Sequence, residues 1–221
     1  MTVNHPFFSR IYPRIAAATD SGGGYQHRRE LLTGVRGRVV ELGAGDGRNF
    51  DHYPAEVSEV VAVEPEPRLR NQAVHAARRA PVSIRVIDGE ADALDLSADS
   101  FDAAVVSLVL CSVADQHRAL RELYRVLRPG GQLRFYEHVR AHTPTAVRLQ
   151  DALDVVWPIV GGGCHPNRDT LTAITDAGFV IDENRSFSFR PGPLPNPTAP
   201  MILGRAHKPP SASASPTSFP A

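Results

Sequence analysis

The segment Val39-Val-Glu-Leu-Gly-Ala-Gly-Asp-Gly47 constrains this chain more than any other. It reads as a short apolar strand that ends in an acid and runs into a loop with glycine at every second position. Gly43, Gly45 and Gly47 let the backbone turn tightly and bring its N–H groups against a ligand, where any Cβ would obstruct. The residues from Arg48 onward are expected to open a helix whose N-terminus faces the same crevice. The spacing is E-x-G-x-G-x-G, not the G-x-G-x-x-G of dinucleotide-binding folds. An acid at the strand end repels a pyrophosphate and attracts an amino-acid ammonium group. Glu41 therefore points to a nucleoside that carries an amino acid, which is S-adenosylmethionine (SAM) in preference to NAD.

The rest of the chain supplies the sheet such a loop needs. Strands are expected at residues 39–42, 60–64, 84–87, 101–108 and 132–138, with helices at 66–79, 116–127 and 144–157 between and after them. The near-continuous apolar run Ala103-Ala-Val-Val106 is what a parallel strand covered on both faces requires. Leu120, Leu123, Tyr124 and Leu127 fall on one stripe of a helix that Pro129-Gly-Gly131 stops. Strands alternating with helices of this length imply βαβ units and a parallel sheet. Asn167 or Asp169 is suited to cap a short helix ending near residue 177. Residues 179–189 and 201–206 then read as a terminal strand pair, the last one antiparallel. Ahead of the sheet, residues 5–32 read as two short helices around Gly22-Gly-Gly24, a helical cover or a lid. The domain division is thus 1–34 as N-terminal cover, 35–207 as the α/β domain, and 208–221 as a disordered low-complexity tail.

Composition limits the function classes. At 221 residues the chain fits one α/β domain with modest additions. Its 24 basic and 24 acidic residues give no electrostatic case for nucleic acid as a partner. Cys111 and Cys164 make no disulfide framework. No apolar run approaches the roughly 18 residues of a membrane span. Residues 1–14 carry polar residues and prolines where a signal peptide needs an apolar stretch. The expectation is a soluble, cytoplasmic protein with no integral membrane segment, whose oligomeric state the sequence leaves open.

The chemistry-bearing residues collect at the carboxyl ends of successive strands, where open α/β sheets bind ligands. Glu64 closes the second strand about twenty residues beyond the glycine loop and is suited to accept both ribose hydroxyls. Glu90, in Asp88-Gly-Glu-Ala-Asp92, is suited to read an adenine amino group. Ser107 and Leu108 close the fourth strand.

These segments resemble a known family. The glycine loop, Gly89-Glu-Ala-Asp-Ala-Leu94, Asp99-Ser-Phe-Asp102 and Arg125-Val-Leu-Arg-Pro-Gly-Gly131 together look like class I SAM-dependent methyltransferases of the small-molecule type (type 11), over about residues 35–140. The resemblance implies a Rossmann-like α/β fold: a seven-stranded, mostly parallel sheet with an antiparallel last strand and helices on both faces. It implies SAM as cofactor and S-adenosylhomocysteine as product. By position it assigns Glu41, Gly43, Gly45, Gly47 and Asn49 to the methionine end. Glu64 and Pro65 fall at the ribose, Glu90 and Ala91 at the adenine, and Ser107 and Leu108 flank the cofactor. Glu90 stands where the family often has aspartate. Leu108-Val-Leu-Cys-Ser-Val113, Tyr136-Glu-His-Val139, Gly163-Cys164 with Arg168 and Thr170, and Pro200-Met-Ile-Leu-Gly-Arg-Ala206 further resemble the methyltransferase-like thiol methyltransferases, as do Asn49-Phe50 and Tyr53-Pro54.

The expected function is methyl transfer by in-line displacement to a small apolar acceptor, a thiol first among the choices. An O-, N- or C-methyltransferase of a lipid, quinone or secondary metabolite is the alternative within the class, and a non-catalytic SAM-binding regulatory domain the alternative outside it. The residues after the fourth strand, Ser107-Leu-Val-Leu-Cys111, lack the Asn/Asp-Pro-Pro-aromatic motif of nucleic-acid methylation. His138, at the end of the fifth strand, is the candidate base. Tyr12, Cys111, Cys164 and His165 are candidates for the acceptor pocket, with Phe7, Phe8 and Trp157 as an apolar wall, although Cys111 also reads as a small buried residue under the cofactor. Cys, His and Asp do not fall at metal-ligand spacings, so no metal is expected.

Overall fold

The computed structural model describes residues 6–190 and 196–211, with side chains from residue 9 onward. Phe7 and Phe8 as wall residues therefore lie outside the described residues, as does 212–221 of the expected tail.

Apolar periodicity decides the sheet. Strands β1 (Gly37–Leu42), β2 (Val57–Val63), β3 (Ile84–Ile87), β4 (Phe101–Ser107), β5 (Leu127–His138), β6 (Val180–Ser188) and β7 (Pro200–His207) form one sheet in the order β3-β2-β1-β4-β5-β7-β6. The first five run parallel, and β7 pairs antiparallel with both β5 and β6. This is the seven-stranded class I architecture with its reversed last strand. The terminal pair occupies one edge with β6 outermost, so β7 is an interior strand.

Alternate residues of the central strands enter two separate cores. Val40, Val61, Ala104 and Val106 face one side, with Leu120, Leu123 and Ile174 from helices α4 (Gln116–Val126) and α7 (Thr170–Asp176). Val39, Val60, Ala103 and Val105 face the other, with Leu31, Leu32 and Ala73 from α2 (Tyr25–Leu32) and α3 (Pro67–Ala77). Burial on both faces is why these strands read as unbroken apolar runs. Helix starts follow side-chain caps: Glu66 accepts from Leu69 N–H, Asp115 from Arg118 N–H and Asp169 from Thr172 N–H. Of the two caps offered by the last short helix, Asp169 is the one used.

Several expected boundaries shift. The helix placed at 144–157 divides into α5 (Pro144–Leu153) and α6 (Trp157–Val160). β5 begins at Leu127, ahead of Pro129-Gly-Gly131, because Leu127 pairs with Phe101 before the register shifts. The helix expected from Arg48 does not form. Only a single 3₁₀ turn, Phe50–His52, follows the glycine loop. The Asn49 and Tyr53 side chains turn back to Glu41, Phe50 is fully buried, and Pro54 follows at once. No helix N-terminus is therefore aimed into the crevice behind this loop.

The N-terminal segment forms α1 (Pro6–Thr19) and α2 around a wide turn, Asp20–Gly24, in which Gly23 takes φ 119°. Helix α2 is part of the second core. Lys208, assigned by composition to the tail, is anchored: its ammonium donates to Asp99 at 2.7 Å and to the Leu127 carbonyl at 2.8 Å. Among the described residues no helix is long and apolar enough to cross a membrane.

Candidate active site

A cavity of about 610 Å³ opens at the carboxyl ends of β1, β2, β3 and β4. Small-molecule sites of about 300–1,000 Å³ are the general rule. The glycine loop forms one wall. Gly43 takes φ 64°, and a Cβ there would meet Val109 Cγ2 at 2.5 Å. Only glycine fits both the left-handed backbone and the close approach. Leu108 on the facing wall also takes a left-handed φ of 62°, a strained conformation held by its N–H donating to the Tyr136 carbonyl at 2.8 Å.

Two buried acids organise this wall. Glu64 is 5% exposed and lines the cavity. Its Oε2 accepts the Gly45 N–H at 2.7 Å and its Oε1 the Glu66 N–H at 3.0 Å. Burial holds its pKa above the usual carboxylate range, and those two N–H donors oppose the shift. Each oxygen keeps a further lone pair for a ligand hydroxyl. Glu41 lies behind the loop: Asn49 Nδ2 donates to Oε1 at 2.8 Å and Tyr53 OH to Oε2 at 2.7 Å. Desolvation pushes its carboxyl up to about 7 against those two hydrogen bonds.

Of the residues anticipated for the cofactor, Gly43, Gly45, Glu64, Pro65, Glu90, Ala91, Ser107 and Leu108 line the cavity. Glu41, Gly47 and Asn49 are not among its lining residues. Gly47 turns the chain against Ala76 and Phe50, and Asn49 links Glu41 to a buried arginine. That arginine, Arg28, is 4% exposed and donates to Asn49 Oδ1 at 3.0 Å, Ser107 Oγ at 3.1 Å and Asp20 at 3.0 Å. It is a residue the sequence did not single out. One arginine among several on an N-terminal helix carries no local signal of burial.

The acceptor candidates separate similarly. Tyr12 from α1 and His165 line the cavity, together with Val109, Ser112, Val113, Gly162 and Gly163. Burial pushes the Tyr12 phenol up to about 12, so it stays protonated at neutral pH. His165 Nδ1 lies 3.0 Å from each carboxylate oxygen of Asp154. Asp154, which carries no signal in its own neighbourhood, is the missed partner. Cys111, Cys164 and His138 are not among the lining residues. Each of the two sulfurs lies 3.6 Å from His138 Nδ1, one layer behind the cavity wall. Trp157 lies outside the lining as well, and its indole N–H is buried without a partner.

A nucleoside bearing an amino acid fits this cavity. Gly43 and Gly45 present bare backbone to the cavity, and the Glu64 carboxylate keeps lone pairs for vicinal hydroxyls. Comparison with known proteins agrees. Residues 40–135 match the family model described as Methyltransferase domain. The chain is 35% identical over 185 residues to Thiol S-methyltransferase TMT1B of Homo sapiens, covering 80% of this chain and 74% of that protein. Among solved structures, a SAM-dependent methyltransferase of Thermotoga maritima superposes with TM-score 0.67 at 23% identity, covering 91% of this chain and 98% of that one. The [4+2]-cyclase SpnF superposes equally well, with TM-score 0.67 at 18% identity over 92% and 94% of the two chains. The fold alone therefore does not dictate the reaction. The identity to TMT1B and the matched domain do decide the family: the chain belongs to the class I SAM-dependent methyltransferases, as a relative of the thiol S-methyltransferases.

Proposed function

We propose that this enzyme methylates a small apolar thiol, yielding a thioether and S-adenosylhomocysteine. The observation that carries the reading is the His165–Asp154 pair, which brings an oriented imidazole to the wall of the same cavity as the glycine loop and Glu64. The 35% identity to a protein named as a thiol S-methyltransferase supports it independently.

SAM supplies a methyl carbon already activated by its sulfonium, so the acceptor sulfur needs only alignment and the loss of its proton. When SAM binds, Gly43 and Gly45 would present backbone to it, Glu64 would accept from the ribose hydroxyls, and Glu90 with Ala91 would border the adenine. Glu41, Asn49 and Gly47 act from behind, fixing the loop. Leu108, Val109 and Val113 give an apolar lining that excludes water from the acceptor. Proximity and orientation of this kind contribute about 7–11 kcal/mol to transfer reactions. With the Nδ1 proton donated to Asp154, His165 keeps Nε2 free to take the thiol proton. A thiol of unperturbed pKa about 8.5 needs only a modest base at neutral pH, which an imidazole provides. That role passes to His165 because His138 faces the two cysteines.

The test is transfer of a radiolabelled methyl group from SAM to a panel of hydrosulfide, alkyl thiols, phenols and amines. Label is expected on alkyl thiols; label on phenols or amines with none on any thiol rejects the reading.

A further inference from the structure

Cys111, Cys164 and His138 are brought together by the fold from three separate segments. Cys111 follows β4, His138 ends β5, and Cys164 sits in the loop after α6. The sulfurs and the imidazole nitrogen all lie within 4.8 Å of one another. Both cysteines are buried, at 1% and 5% exposure, and His138 is half-buried. Each Sγ···Nδ1 distance is 3.6 Å. Bonds of about 2.3 Å from zinc to sulfur and about 2.0–2.1 Å to nitrogen, at tetrahedral angles, separate sulfur from nitrogen by about 3.6 Å. Both sulfur–nitrogen spacings thus equal the edge length of a tetrahedral site, and the two sulfurs lie within 4.8 Å of each other.

The surroundings hold these donors in place. Buried Glu137 accepts the N–H groups of Val109, Leu110 and Cys111 at 2.9, 3.0 and 3.3 Å, which fixes the turn that presents the first sulfur. The His165 N–H donates to the Cys111 carbonyl at 2.7 Å and ties the second cysteine loop to the first. Arg168 donates to the Leu110 and Val113 carbonyls at 2.7 and 2.8 Å. These bonds pin the backbone that carries the two sulfurs.

We propose that Cys111, Cys164 and His138 bind a soft d¹⁰ divalent cation, zinc, in a Cys₂His site. Three protein ligands leave a fourth position, the arrangement of open zinc sites. Binding forms two Zn–S bonds and one Zn–N bond, breaks two S–H bonds and releases both protons to solvent. The site clasps three segments whose neighbours Ser112, Gly163 and His165 line the cavity, so the cation braces the acceptor wall from behind. The proposal stands apart from the identity of the acceptor.

The experiment uses the full chain without a histidine tag, stripped with a chelator and titrated with zinc and then with cobalt(II). About one equivalent of zinc is expected, with close to two protons released per metal in weak buffer and a rise in melting temperature. Cobalt is expected to give a thiolate-to-metal charge-transfer band and the strong visible absorption of a tetrahedral site. Cys164→Ala should lower zinc affinity by about 100-fold or more, since it removes a direct ligand where outer-shell losses alone reach that range. S-adenosylhomocysteine binding serves as the control for folding. If the cysteine variants do not fold, the wild-type spectrum and the protection of both thiols from alkylation by zinc decide alone. Wild-type protein that takes up no zinc, or binds cobalt without the charge-transfer band, overturns the proposal. So does a Cys164→Ala protein that folds and keeps full affinity, or recovery of a Cys111–Cys164 disulfide from zinc-replete buffer.

Discussion

Asp154 meets His165 through both of its carboxylate oxygens, each 3.0 Å from Nδ1. This contact fixes which imidazole nitrogen stays free and so gives the pair its chemical meaning. Asp154→Asn and His165→Ala are expected to lower the rate of thiol methylation by about 10²-fold or more near pH 7, the lower end of what a positioned base contributes. The loss should shrink above about pH 8.5, where the thiol ionises unaided. A pH–rate profile of both variants checks this; a loss that stays constant with pH contradicts a proton-transfer role.

Glu64 serves the loop and the ligand at once. Its alanine variant removes the acceptor of the Gly45 and Glu66 N–H groups together with the expected ribose contact. Hydrogen bonds to a charged group contribute about 1.5–3 kcal/mol each, so S-adenosylhomocysteine affinity should fall at least about tenfold. Calorimetry reads it directly, and unchanged affinity would remove Glu64 from the cofactor site.

Gly43→Ala sets a Cβ 2.5 Å from Val109 Cγ2 at φ 64°. The left-handed backbone alone costs about 1–2 kcal/mol for a non-glycine residue. Lower thermal stability and weakened cofactor binding are expected. Adding Val109→Ala should recover the steric part and leave the backbone part. A double variant no better than the single one would show that the clash contributes nothing.

The elements were legible wherever the cause was local. Alternate burial on two faces wrote Val39 to Leu42 and Phe101 to Ser107 as apolar runs, and the cap candidates Asn167 and Asp169 marked the start of the last short helix. Most of the cavity wall was legible too, because Gly43, Gly45, Glu64, Glu90 and Leu108 each end or follow a strand. What failed was non-local. Residues after Gly47 have acceptable helix chemistry, but Glu41, eight and twelve residues back, captures Asn49 and Tyr53. His138 looked like a base because it ends a strand beside the site. It faces the cysteines instead, 27 and 26 residues away in sequence. Pairings between separate segments leave no trace in residue type, which is also why Arg28 and Asp154 went unnoticed.

Glu41 makes stability depend on pH. Its carboxyl rises from 4.5 to about 7 on folding, because burial penalises the charge. The folded state therefore holds a proton that the unfolded chain releases. The stabilisation is complete below about pH 4.5 and is lost as pH rises through about 7. Glu41→Gln keeps the hydrogen-bonding shape and removes the titration. Its stability relative to wild type should improve across that window by up to about 3 kcal/mol, at about 1.4 kcal/mol per unit. Denaturant melts at pH 4 to 8 measure it, and parallel pH curves for the two proteins would contradict the assignment.

The most direct measurement offers the enzyme an alkyl thiol and the alcohol of the same carbon skeleton, with SAM deuterated in its methyl group, and reads the products by mass spectrometry. A thiol acceptor gives a deuterated thioether from the thiol and no ether from the alcohol. Deuterated ether, with the thiol recovered unmethylated, would contradict it.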